Sequence, residues 1–394
     1  LETPLSETKA AGAQTNGDAL RAESTAEQPR ENETERARVL RMQRELAEKV
    51  RTPQMQPLVD VLLERTGALV QKVTRTPVSF WVSAAVVSVA ILLPSLLISL
   101  ALGEFGSSFG MERVPSEFGL VGLVFVGTVI LKMEMDEVYS TCSKHLIHHI
   151  ESVEDLEDLE GWFHWVSRRW SLFLPAAVGG LLTGWLAISY ASTMRGGFLG
   201  FGPAVLDIAV NIMALMGIYY IFCFVSLAHR LGGYRYRMFT LDPHKSGVIH
   251  HLSAMLFSYV RSVALFMGAV TLVLGYFTVI DASVIGVLLI VGWAPIVVAF
   301  FLSESTLARI IGNTKWRMLE DVQHELERLR NERPLSDADY LEECERLLAF
   351  HDRIWATPNH ALDMTAVLSF VNTLLLPLVS FAVTQLPALP WVGR

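Results

Sequence analysis

Charge is scarce in this chain: Asp, Glu, Lys and Arg together make up 18% of its 394 residues. Soluble domains carry about 25% charged residues, so this composition argues against a conventional hydrated surface on every side. Cysteine is rarer still, with only Cys142, Cys223 and Cys344. Two of them fall in polar segments and one in an apolar run, which excludes a disulfide framework. Residues 1–75 contain no apolar run, so no cleaved leader is read there, and the first apolar segment is expected to act as an uncleaved signal anchor. The last apolar run has no lysine, which argues against a retinal protein. Basic residues do not gather with aromatics into a patch, so nucleic acid is not an expected partner.

What is abundant is long apolar sequence. Hydrophobic residues reach 52% and mean hydropathy is +0.38. Seven stretches read as membrane spans: Val78 to Leu102, Phe118 to Leu131, Ser171 to Ser192, Val205 to Ala228, Ser258 to Ile280, Ser283 to Leu302 and Met364 to Leu386. The second is short for a hydrocarbon core of about 30 Å, but Lys132 and Glu117 can reach the two interfaces from its ends. Twelve Lys and Arg precede the first span, four follow the second, five lie from Arg230 to Arg261 and eight from Arg309 to Arg353. Only Arg113, Arg195 and Arg394 fall on the other side. The positive-inside rule then places the N-terminus in the cytoplasm and the C-terminus outside. The expected fold is all-α, a polytopic bundle of about seven transmembrane helices with cytoplasmic extensions.

The polar segments divide further. Residues 1–33 have too few large apolar side chains to offset ordering entropy and are read as a disordered tail. In 34–76, two amphipathic helices are expected. Val39, Met42, Leu46 and Val50 line the first, Leu58, Leu62, Leu69 and Val73 the second, which is read as lying at the headgroups. Within the bundle region 77–303, the second span is expected to continue as one helix over 133–160, ending at Gly161. Its acidic run from Glu151 to Glu160 reads as a solvated face or a cation-attracting vestibule. Trp162, Trp165, Arg168, Arg169 and Trp170 read as an interfacial belt. Segment 304–362 is expected to be a helical hairpin with stripes Leu319, Val322, Leu326, Leu329 and Leu341, Cys344, Leu347 or Leu348, Ile354. Segment 363–394 holds the last span and a short external tail.

Several residues are candidates for chemistry. His145, His148 and His149 form an H-x-x-H-H pattern, and on a helix such spacing brings imidazoles onto neighbouring faces where two can share a metal. The pattern resembles one histidine box of membrane-bound di-iron desaturases and hydroxylases. That resemblance implies repeated boxes, and the His244, His250, His251 spacing departs from them. No other cofactor is expected. Asp207 and Asn211, one turn apart, together with Arg261, are candidates for a substrate or ion path, because ionisable groups in spans are costly and usually functional. Asp242, His244, Lys245, Ser246 and Gly247 form a turn that either binds an anion or ends a helix, with Gly247 available for positive φ. Gly180 and Gly184 form a G-x-x-x-G packing motif, and Gly119 and Gly122 thin one face of the second span.

The stretch Gly217-Ile-Tyr-Tyr220 through Arg230-Leu, followed by Leu241-Asp-Pro-His-Lys-Ser-Gly247, resembles a group of uncharacterised bacterial multi-pass membrane proteins with a cytoplasmic His-Pro-Asp-x-x-Gly-Gly-like loop. The resemblance covers about 40 residues, with the order Asp242-Pro243-His244 and Val248 in place of the second Gly. It implies a bacterial inner membrane and no particular activity. Three functions fit the sequence. One is a channel or transport-type oligomer with cytoplasmic gating or docking helices. Another is a membrane scaffold or sensor engaging a cytoplasmic protein through the hairpin. The third is a metal-dependent lipid-modifying enzyme, and a non-enzymatic role is favoured over it. The lipid bilayer, a homo-oligomer or membrane complex, and a cytoplasmic protein are the expected partners.

Overall fold

The computed structural model describes residues 35–103, 114–168, 176–182, 184–185, 189, 201–238, 242–277, 282–332, 338–358 and 372. The helices are α1 (35–49), α2 (Leu58–Thr74), α3 (Phe80–Ala101), α4 (Val114–Thr141), α5 (Val153–Ser167), α6 (Phe201–Leu231), α7 (Gly247–Phe277), α8 (Ala282–Glu332) and α9 (Ala338–Ala356). A helical stretch at 176–182 lies between α5 and α6. Among the described residues there is no strand, only an isolated antiparallel bridge between Ile150 and Tyr236.

Five helices contain segments long and apolar enough to cross a membrane: Phe80–Ala101, Glu117–His149, Ala204–Leu231, Gly247–Thr271 and Ile296–Asn331. They overlap the first, second, fourth, fifth and sixth expected spans. The third is described only in part and is helical there; the seventh lies outside the described residues apart from Asn372. The short second run proves to be the middle of a helix of 28 residues.

Helix α3 is apolar on its outer side. Its buried positions include Ser83, Ala84, Ser88, Ser95 and Ser99, whereas Trp81, Val82, Val86, Val89, Leu93, Leu97 and Leu100 are exposed. A soluble helix does the opposite. Small residues inward and large apolar ones outward let backbones approach while presenting hydrocarbon to hydrocarbon, the pattern of a membrane-embedded helix. The same logic explains the G-x-x-x-G. A Cβ on Gly180 would sit 2.9 Å from the Ile212 backbone and one on Gly184 3.1 Å from the Ile208 Cα, so both glycines serve contact with α6 within one chain. Gly122 is different, because a Cβ there would meet nothing within 4 Å. Gly127 is the tight position of that helix, 3.0 Å from the Phe266 ring.

The largest buried cluster lies at the end of the bundle richest in Lys and Arg, the basic end. Leu146, Ile147, Ile150, Leu156, Leu159, Phe163, Val166, Leu227, Leu231, Leu252, Met255, Leu307 and Ile311 are all fully buried there. Helix α1 joins this core through Leu46, followed by Val50 in the turn after it, and the Gln43 amide donates to the Ile150 carbonyl at 2.7 Å. Helix α2 buries Val59, Asp60 and Leu63, while Leu69 and Val73 of its expected stripe are exposed.

Three expectations change. The helix expected over 133–160 breaks: α4 passes through a π-turn at Cys142–Leu146 and a 3₁₀ turn at Ile147–His149, and α5 begins at Val153 and runs past Gly161 to Ser167. The break is held by tertiary bonds, with Arg237 N donating to the His149 carbonyl at 2.7 Å and Glu151 N to the Arg235 carbonyl at 2.9 Å. Trp162 is not in an interfacial belt; it is buried, and its indole N–H donates to the Cys223 carbonyl at 3.2 Å. Finally, the sixth span and the first hairpin helix are one continuous helix, α8, of 51 residues. At 1.5 Å per residue it is about 75 Å long, long enough to leave a bilayer and continue beyond it.

Helices α8 and α9 pack against each other, but Leu341 and Leu348 of the stripe expected on α9 are exposed. Leu319, Val322 and Leu329 of α8 and Ile354 of α9 are buried. Lys315 locks the two helices together, donating to the Trp355 carbonyl at 2.7 Å and the Thr357 carbonyl at 3.0 Å. Its ammonium also lies 5.5 Å from the Trp355 ring centroid, and it thereby caps the carbonyl end of α9.

Candidate functional site

Ionisable side chains converge where the apolar part of α4 meets the basic end. Lys132 points toward α2 and sits between two carboxylates, 3.3 Å from Asp60 and 2.5 Å from Asp136. Asp60 is 8% exposed. Burial pushes its carboxyl up to about 6, against the opposing pull of Lys132. Two residues on, Glu134 points toward α7. Its Oε1 accepts hydrogen bonds from Ser262 at 2.6 Å and Ser258 at 3.3 Å, while its Oε2 is buried without a hydrogen-bond partner. Helix α4 thus turns one ionisable group toward α2 and another toward α7. Just beyond, the Tyr139 hydroxyl donates to the Met55 carbonyl at 2.7 Å, which ties the start of α2 to the same helix.

A second polar cluster fastens α5 to the segment after α6. Asp158 pairs with Arg230 and accepts from the Tyr234 hydroxyl at 2.7 Å, and Asp155 accepts from the Arg235 amide at 2.8 Å. Two members of the acidic run are therefore structural clamps, which neither a solvated face nor a vestibule describes. Burial raises the Asp155 carboxyl above its ordinary value. Between α1 and α5 lies an open cleft of about 1330 Å³ lined by both signs of charge, with Arg38, Arg41, Arg235 and Arg317 facing Glu151, Glu154 and Glu157.

The sequence candidates are distributed as follows. His145 stacks on His251 of α7 with ring centroids 3.8 Å apart, while His148 and His149 line a smaller cleft of about 580 Å³ against α1. The three histidines diverge because the π and 3₁₀ turns abolish the α-helical spacing on which the metal reading rested. Among the described residues no three His, Cys, Asp or Glu side chains form a metal-binding group. Asp207 and Asn211 do share one face of α6, where the Asn211 amide donates to the Asp207 carbonyl at 2.8 Å. Arg261 is exposed on α7, one residue from Ser262, and belongs with the Glu134 region.

The Asp242 to Gly247 turn starts a helix instead of ending one. Pro243–Lys245 is a 3₁₀ turn, Lys245 pairs with Asp242 at 2.8 Å, and Gly247 opens α7 without positive φ. Of His244 only the backbone, within that turn, is described.

Sequence reasoning missed Glu134 and Asp60. Glu134 sits three residues beyond the expected end of the second span, and Asp60 reads as an ordinary helix-start acid. A signal for Glu134 was present in Ser258 and Ser262, one turn apart at the start of the apolar run of α7. No family model, no curated protein and no solved structure matches this chain.

Proposed function

We propose that this protein is a multi-pass membrane scaffold or sensor that docks a cytoplasmic protein on its helical hairpin. The observation that carries this reading is the continuity of α8. One helix runs from the apolar zone into the hairpin, so displacement at either end is transmitted without a flexible joint. The outer face of the hairpin supports it: Leu341, Leu348 and Trp355, seven residues apart along α9, are exposed, and the exposed Trp316 of α8 packs edge-on to Trp355 at 5.9 Å. Spacing of seven places these side chains in one row, the layout by which a helix receives another helix. The setting is a bacterial inner membrane with the basic end in the cytoplasm.

Photo-crosslinking residues placed at Leu341 and Leu348 test this in native membranes. A discrete adduct of defined mass, abolished by Trp355→Glu, is expected; diffuse labelling unchanged by Trp355→Glu refutes the docking role.

A second reading, a transport-type oligomer, rests on one observation, the cluster of the buried Asp60 and Glu134 with the partly buried Lys132 where the apolar part of α4 ends. Such groups are expensive beside lipid and commonly serve ion movement. Liposome flux assays separate the two: flux lost in Asp60→Asn favours transport, and silent liposomes with a discrete hairpin adduct favour docking.

A further inference from the structure

We infer that Glu134, Ser258 and Ser262 form a binding site for a monovalent cation, H⁺ or Na⁺, between α4 and α7. The inference stands on geometry independent of the hairpin. Glu134 is 6% exposed, and its Oε2 is enclosed with no hydrogen-bond donor in reach. The two serines, one turn apart on α7, converge on the same carboxylate at 2.6 and 3.3 Å from residues far away in the chain. Each hydroxyl keeps oxygen lone pairs free after donating. The result is a hard-oxygen pocket with one formal negative charge.

Among the described residues no fixed cation neutralises that charge at contact distance. Lys132 is held by Asp60 and Asp136 on the opposite flank of α4. Arg261 is exposed and acts on Glu134 only at longer range. The other titratable groups that act on the site are Glu137 from α4 and Tyr259 from α7. A buried carboxylate in this position needs a counter-charge. One carboxylate with two hydroxyls matches a single positive charge, whereas divalent sites recruit several carboxylates. The site bridges two helices that both enter the apolar zone, so occupancy fastens α4 to α7 and vacancy loosens them.

The test uses the full chain in lipid nanodiscs and follows the thermal unfolding midpoint. Sodium chloride is titrated against choline chloride at equal ionic strength near about pH 8, and pH is then lowered to about 5 in choline alone. Sodium occupancy predicts a midpoint that rises with Na⁺ and not with choline, absent in Glu134→Gln. In Ser262→Ala the same rise should need about tenfold more Na⁺. Proton occupancy predicts no sodium effect but a rise on acidification that is larger in the wild type than in Glu134→Gln, while Ser262→Ala moves its midpoint in pH. Should Glu134→Gln fail to fold, the Ser262→Ala titrations decide. Wild type and variants superimposable in both titrations overturn the site.

Discussion

Asp60 is the side chain whose environment departs most usefully from expectation. Its folded carboxyl lies at about 6 against an ordinary 3.8, so the fold favours the protonated form. Between these values the folded protein binds more protons than the unfolded chain. The contribution is therefore fully present below about 3.8 and is lost as pH rises through about 6. Asp60→Asn removes the cost of burying the charge, and Lys132 retains Asp136 as its partner. The variant should be more stable than wild type by about 1–3 kcal/mol near neutral pH, with the difference closing toward about pH 4. Denaturant or thermal unfolding across that range checks it; a constant gap refutes it. None of this was readable from the sequence, because burial of Asp60 depends on α4 and on Lys132, 72 positions further along the chain. His145, His148 and His149 fail in the other direction. Their pattern was conspicuous, but it assumed an α-helix that the turns at 142–149 replace.

Helix boundaries show the limits of periodicity at the next scale. The stripes of α1 and of the first hairpin helix were legible, since Val39, Leu46, Val50, Leu319, Val322 and Leu329 are buried as their spacing implied. The break at 150–152 was not, because the competing partners of those backbone groups, Arg235 and Arg237, lie more than 80 positions away. Likewise the join between the sixth span and the hairpin is invisible in the backbone: composition changes from apolar to charged near Glu304, but nothing there interrupts α-helical hydrogen bonding. Glycine packing is the feature most open to test. Gly180→Ala forces a methyl against the Ile212 backbone at 2.9 Å, and overpacking of this kind costs about 1–3 kcal/mol. Gly122→Ala, where nothing lies within 4 Å, should be neutral or slightly stabilising through helix propensity. Comparing their unfolding midpoints in the same lipid checks the pair; equal losses refute the intrachain contact.

At the scale of the molecule, a zone of long apolar helices meets a densely packed basic end, and the polar clusters gather at and beyond that junction. The proposed orientation rests on charge, since 29 of the 32 Lys and Arg fall in segments of one parity when seven spans are read from the sequence. Gln323 is exposed on the far part of α8. In a chain lacking native cysteines, Gln323→Cys should react with a membrane-impermeant maleimide in inside-out vesicles and stay unlabelled in intact spheroplasts. The reverse pattern refutes the orientation. The packed core also explains why two of the three native thiols are poor reporters. Cys142 and Cys223 are buried in the core.

By itself the sequence determined the helical class, the positions of most apolar helices and the asymmetry of charge. Each of these follows from properties local to a segment: hydropathy over about 20 residues, a repeat of three to four, and the sign of flanking side chains. The tertiary structure alone decided which polar groups meet. Glu134 with Ser258 and Ser262, Asp60 with Lys132, and Asp158 with Arg230 and Tyr234 are partnerships between distant segments. A buried charge has no one-dimensional signature, because its cost and its partner are set by helices that packing brings alongside it.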